Sequence, residues 1–177
     1  MNHMARHPFR LTCLVALMAV LALSAARPAA ARELPPPAGA VLLTVTGKIG
    51  QTNGDGAALF DTAMLSALPE HRIETHTPWT DGPALFEGVL LKDVLAATGA
   101  HGETLFVEAI NSYRIEFPAS DAERFGVLLA TRMNGQPLSR RDKGPLWIVY
   151  PRDAIPALRD ERYDSRWVWQ LNRIEVR

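Results

Sequence analysis

Cysteine is nearly missing from this chain: its 177 residues hold one, Cys13, inside an apolar stretch close to the amino terminus. Residues 32–177 therefore have no thiol for a disulfide, a thiolate metal ligand or a cysteine nucleophile, and packing alone must hold the domain together. Long hydrophobic runs are missing too. The most apolar stretch, Leu11 to Leu23, falls short of the roughly 20 residues that cross a bilayer, and Arg27 and Pro28 follow it. No surplus charge of either sign exists, since 19 Lys and Arg face 19 Asp and Glu. Three of the cations, Arg6, Arg10 and Arg27, precede residue 32 and all the anions follow it, which leaves residues 32–177 at −3. That balance gives no electrostatic footprint for nucleic acid or for an anionic membrane.

The order at the start is Arg6 and Arg10, then the apolar run, then the small residues Ser24 to Ala31, which is the order of a secretory signal peptide. The expectation is a leader over residues 1–31, cleaved after Ala26 or Ala31, and a periplasmic or secreted protein with no membrane span in the mature chain. No two arginines adjoin between Met1 and Arg10, so the leader lacks the twin-arginine address and reads as the general route for unfolded chains.

Residues 32–39, with Pro35, Pro36 and Pro37, read as an extended lead-in, because proline fixes φ and removes a donor. One domain over residues 40–177 is expected after it. Strands are expected at 41–46, 72–77, 105–107, 113–117, 127–133, 146–150 and 167–176, from β-branched and alternating content. Helices are expected at 60–68, with Asp61 as the cap, and at 89–99, where Leu90, Leu91, Val94 and Leu95 form a stripe ahead of Gly99. Ser120 or Asp121 would cap a single further turn. Short strands interleaved with short helices argue for an α+β domain of mixed sheets rather than a doubly wound one. No internal repeat and no second domain is evident.

Chemistry concentrates in two places. The segment Thr75-His76-Thr77-Pro78-Trp79-Thr80 is a polar, aromatic loop between a strand and a helix, the setting in which binding groups are commonly presented. It reads equally as a turn whose Trp79 fills the core and whose threonines satisfy backbone groups. Arg140, Arg141 and Lys143, which Arg132 could join, would suit a carboxylate, a sulfur oxyanion or a phosphate; the plain alternative is a solvated loop with Asp142 pairing locally. Glu74 and His76 share a strand face away from His71, which makes a poor metal set. A Gly-x-Ser-x-Gly elbow is absent, which removes one hydrolase class. Trp147, Trp167 and Trp169 read as core, with Trp167 and Trp169 able to line an aromatic groove.

Four stretches carry a family resemblance, in order along the chain. Phe86-Glu87-Gly88-Val89-Leu90-Leu91-Lys92-Asp93-Val94-Leu95, Asn134-Gly135-Gln136-Pro137-Leu138, Lys143-Gly144-Pro145-Leu146-Trp147-Ile148-Val149-Tyr150-Pro151 and Ser165-Arg166-Trp167-Val168-Trp169-Gln170-Leu171-Asn172-Arg173-Ile174-Glu175-Val176 together resemble the sulfite-oxidase-type molybdopterin-binding domain. The resemblance implies mixed β-sheets with short helices in a single domain, and a surface cleft for the pterin. It also implies a cysteine ligand to molybdenum. Matching Trp79-Thr80 to the family's Trp-Ser places Thr75 at that ligand position, and Trp147 stands where many relatives have an arginine. Members that carry the cofactor generally cross the membrane already folded, which this leader does not suit.

The expectation is therefore a cofactor-free member that keeps the cleft as a binding surface for a small anion or for an envelope partner such as a sensor kinase. Its candidate residues are Thr75, His76, Thr77, Trp79, Arg132, Arg140, Arg141 and Lys143, with no metal site. The competing expectation is a molybdopterin-dependent oxidoreductase acting on small sulfur or nitrogen oxyanions.

Overall fold

In the computed structural model the described residues are 34–177, and the expected leader lies outside them. Strand β1 (Leu43–Gly47) pairs with β2 (Ala58–Phe60), and Asp61 then caps helix α1 (Thr62–Ser66). The Asp61 carboxylate accepts the Met64 amide at 2.9 Å and, from the lead-in, the amides of Ala38 and Gly39 at 2.7 and 2.8 Å. Those donors hold its pKa below the ordinary carboxylate value, the Met64 amide most of all. One short side chain thus starts a helix and ties down the segment that precedes the domain.

Strand β3 (Glu70–His76) alternates as its sequence suggests, with Thr75 buried and Glu74 and His76 exposed. It pairs with β4 (Pro83–Leu90), and helix α2 (Leu91–Ala97) follows directly. Here the sequence reading is corrected: Val89 and Leu90 belong to a strand, and the helix begins at Leu91, two residues later than expected. The apolar stripe is real, but pairing of Gly88, Val89 and Leu90 with β7 (Leu128–Met133) overrides it. Gly88 permits that pairing, since a Cβ there would lie 2.1 Å from the Leu129 carbonyl oxygen.

Strands β5 (Thr104–Ala109) and β6 (Arg114–Pro118) form the expected hairpin, turning through Ser112 at φ 66°. Helix α3 (Ser120–Phe125) starts at Ala119 without a side-chain cap. Asp121, expected as a possible cap, is instead buried, where its carboxylate accepts from the Tyr150 hydroxyl at 3.0 Å and from the Arg166 guanidinium. After β7 come β8 (Gln136–Pro137) and β9 (Trp147–Val149), both paired to it. Residues 150–170 then form a long strap with two short 3-10 turns, Pro156–Arg159 and Glu161–Arg166. The final strand, β10, is Leu171–Val176, shorter than the expected 167–176 because Val168 and Trp169 pair with β9 instead, the Val168 carbonyl accepting the Ile148 amide and Trp169 bridging to Trp147.

One sheet runs β2-β1-β10-β5-β6 and the other β3-β4-β7 with β8 and β9 along β7. Every pairing is antiparallel except β1 with β10. Both sheets feed a single apolar core in which Phe60, Phe86, Leu128, Ile148 and Ile174 are fully enclosed. The α+β architecture of mixed sheets and short helices is the one expected.

Candidate functional site

The end of β3 brings two of the candidates, Thr75 and His76, together with a residue that sequence reasoning missed. The Thr75 side chain is fully buried; its hydroxyl donates to the His76 carbonyl at 3.3 Å and accepts the Asp153 amide at 3.1 Å. The Asp153 carboxylate in turn accepts the His76 amide at 2.9 Å and lies 2.8 Å from His76 Nδ1. A carboxylate only accepts, so Nδ1 carries the proton of that contact. The His76 ring, ahead of its backbone amide, lowers the Asp153 pKa below the ordinary value. Asp153 is far off in sequence, in a stretch with no periodicity, and no local signal marks it.

Beyond His76 the loop holds itself. The Thr77 hydroxyl accepts the Trp79 amide at 3.0 Å and meets the Thr80 hydroxyl at 3.0 Å, and Thr80 donates to the Gly82 carbonyl. These are local turn bonds, one of the two roles that the sequence left open. They present Trp79 half in solvent, against Trp169 at 5.1 Å and 81° and against Trp167 at 6.2 Å and 58°. Trp147 touches both of those rings from the core side, so all four tryptophans of the chain form one cluster. Trp147 and Trp167 are buried, and their indole Nε1 atoms have no hydrogen-bond partner among the described residues.

The outer side of that cluster is a cleft of about 290 Å³ between Trp79, the β5–β6 hairpin tip and the strap. Asn111 and Tyr113 line it from the hairpin; Asp164, Ser165 and Trp169 line it from the strap. The Tyr113 hydroxyl donates to the Ser165 carbonyl at 3.1 Å, joining the two walls. The Asp153–His76 hydrogen bond and the Arg166–Asp121 ion pair tie the strap to the rest of the domain, and the Arg152–Asp164 ion pair braces it internally. Burial, and next the Asp121 carboxylate, push the Tyr150 phenol well above its ordinary pKa, so it stays a neutral donor.

The basic candidates do not converge on this cleft. Arg132 pairs with Glu87 at 3.5 Å, donates to the Gly135 carbonyl, and borders a different groove, of about 560 Å³, beside Leu65, Leu68 and Val89. Lys143 pairs with Asp142 at 3.1 Å and lies 5.6 Å over the Trp147 ring. Arg140 and Arg141 are exposed and make no ion pair among the described residues. Gln170, at φ 55°, explains their direction: its side-chain amide donates to the carbonyls of Arg140 and Asp142 at 2.9 and 3.0 Å, and its own amide donates to that of Lys143. The loop's backbone is thereby turned inward.

The mixed two-sheet fold, with its cleft beside the end of β3, defines the class. The family model for the oxidoreductase molybdopterin binding domain matches residues 65–176, and the chain belongs to that family. Among solved structures it is similar to the sulfane dehydrogenase SoxCD from Paracoccus pantotrophus, at TM-score 0.57 and 19% identity, over 76% of this chain and 37% of that one. The chain thus spans well under half the length of that neighbour, and the likeness concerns the fold. No curated protein matches it in sequence.

Membership raises the question whether the residues present fit the metal. Thr75, matched to the ligand cysteine, offers a hydroxyl that stays protonated near neutral pH, is enclosed, and spends both its hydrogen-bonding roles on backbone groups. Residues 34–177 include no cysteine, and no group of three His, Asp or Glu among them is placed to hold an ion. A thiolate-type molybdenum ligand does not fit here.

Proposed function

We propose that this chain is an exported member of the molybdopterin-binding family that works without the metal, as a recognition module of the cell envelope. The observation that carries this reading is the closed state of Thr75. A site that kept the chemistry would present an ionised, open donor there, and here the position is built into the attachment of the strap. The cleft between Trp79, the hairpin tip and the strap is what such a domain retains for binding, and its occupancy would be passed to an envelope partner such as a sensor kinase. A small anion held by Arg140 and Arg141 is a second form of the same role, placed away from the cleft.

Export in an unfolded state through the general secretory route accords with the leader and with a cofactor-free mature protein, since nothing has to be loaded before crossing. The test is metal and pterin analysis of the mature protein purified from a molybdenum-replete native host. The expected result is folded protein without molybdenum. Stoichiometric molybdenum would reverse the reading in favour of an oxidoreductase acting on sulfur or nitrogen oxyanions, the activity class for which family membership speaks.

A further inference from the structure

The cleft lacks the cations that mark the basic loop. Among the described residues no lysine or arginine lines it, and its one charged side chain is Asp164, engaged by Arg152 through Oδ1. Its aromatic walls are also unusually open. Trp79 is 37% exposed and Tyr113 is 44% exposed, and Ile110 on the same hairpin tip is 44% exposed. Of the four exposed large apolar side chains among the described residues, these three gather at one place, as at an interaction site.

Ring geometry narrows the ligand. Trp79 stands at 81° to Trp169 and at 58° to Trp167, so the indole planes meet as a corner and leave no parallel-walled slot. A flat heteroaromatic ligand gains most from offset parallel faces, whereas a corner of crossed faces suits a compact group without a plane of its own. Aromatic faces carry the negative part of the ring quadrupole and attract cations, above all alkylated ammonium groups that shed water easily. The space, about 290 Å³, is at the small end of ligand sites. Because Arg152 balances Asp164, the ring faces supply most of the attraction.

We propose that this cleft binds a methylated ammonium group, borne either by a free choline-type metabolite or by a choline-bearing lipid headgroup. The inference rests on the cleft being the recognition site of a cofactor-free domain. Because every tryptophan of the chain belongs to this cluster, intrinsic emission reports on it without a label.

The experiment is titration of the purified mature protein, at constant ionic strength, with choline, with tetramethylammonium, and with 3,3-dimethylbutan-1-ol, the uncharged carbon counterpart of choline. The expected result is a saturable emission change with both cations and binding of the neutral compound weaker by about tenfold. Trp79→Ala should weaken choline binding by a similar factor; if that variant does not fold, the comparison of charged and neutral compounds on the native chain decides alone. Equal binding of the neutral compound, no saturable change, or saturation by sulfate or phosphate in place of the cations would each overturn the proposal. Sedimentation with phosphatidylcholine vesicles against phosphatidylglycerol vesicles separates the two sources: choline binding with selective sedimentation on phosphatidylcholine marks the headgroup, and choline binding without it marks the free metabolite. Metal analysis of the same sample keeps the two readings apart. Bound molybdenum defeats the cofactor-free reading whatever choline does, and metal-free protein indifferent to choline defeats the ligand alone.

Discussion

Thr75 and Asp153 are locked to each other's backbone surroundings: the threonine hydroxyl accepts the aspartate amide, and the aspartate carboxylate accepts the amide of the residue after the threonine. This reciprocal pair fastens the strap to the end of β3. A buried hydroxyl in that role is costly to remove, because the Asp153 amide would lose its partner. Thr75→Val is expected to destabilise the domain by about 1–3 kcal/mol, read from urea unfolding midpoints at unchanged slope.

Burial at the same position makes a chemical prediction. Thr75→Cys should fold, since it puts sulfur in place of the hydroxyl oxygen and removes only the γ-methyl, a modest loss of buried volume. Its thiol should resist a water-soluble thiol reagent in the native protein and react at once in urea. Rapid labelling of the folded variant would show the position to be open, and the case against a metal ligand there would lose its main support.

The Asp121–Arg166 pair and the Tyr150 hydroxyl form the deepest polar contact of the strap. Asp121→Ala strands Arg166 with little access to water and should cost about 3–5 kcal/mol. The phenol adds a pH signature. Its folded pKa lies above the unfolded value, so its contribution is complete below pH ~10 and is lost as pH rises beyond that value. Tyr150→Phe should flatten the alkaline limb of the stability profile.

Acid acts through other groups. Asp61 and Asp153 both have folded pKa values below their unfolded ones, so what they contribute is present above pH ~4 and disappears as pH falls through the folded values. Asp61→Asn keeps a capping acceptor but not the charge, and its unfolding midpoint should depend less on pH below ~4 than that of the native chain.

Gln170 holds the carbonyls of Arg140 and Asp142, so its replacement should free the loop. In Gln170→Ala, limited trypsin digestion is expected to cut after Arg140 and Arg141 several-fold faster, with the rest of the domain resistant.

What the sequence disclosed divides along physical lines. Elements set by local rules were legible: the Asp61 cap, the alternation along β3, the β5–β6 hairpin and the apolar strand around Ile148 all follow from spacing and turn chemistry. The strand at 83–90 was not, because its pairing with β7 lies far away in sequence and its last residues look like part of a helix. The site was half legible. The Thr75 to Trp79 loop stood out by composition, whereas Asp153, Asp164 and Gln170 come from an aperiodic stretch whose order depends on polar contacts within the strap and with other parts of the chain. The grouping of four tryptophans is likewise a product of topology, which no single segment announces.

The parallel pairing of β1 with β10 has a consequence for the order of events in the life of the chain. The central strand of the first sheet, β10, comes after β1 to β9 along the chain, and until it is in place β1 and β5 have no common neighbour. A partly made chain can gather helices and hairpins but cannot close its core. Delay of that kind leaves a window in which the polypeptide can still be threaded, which is the condition that the proposed export requires.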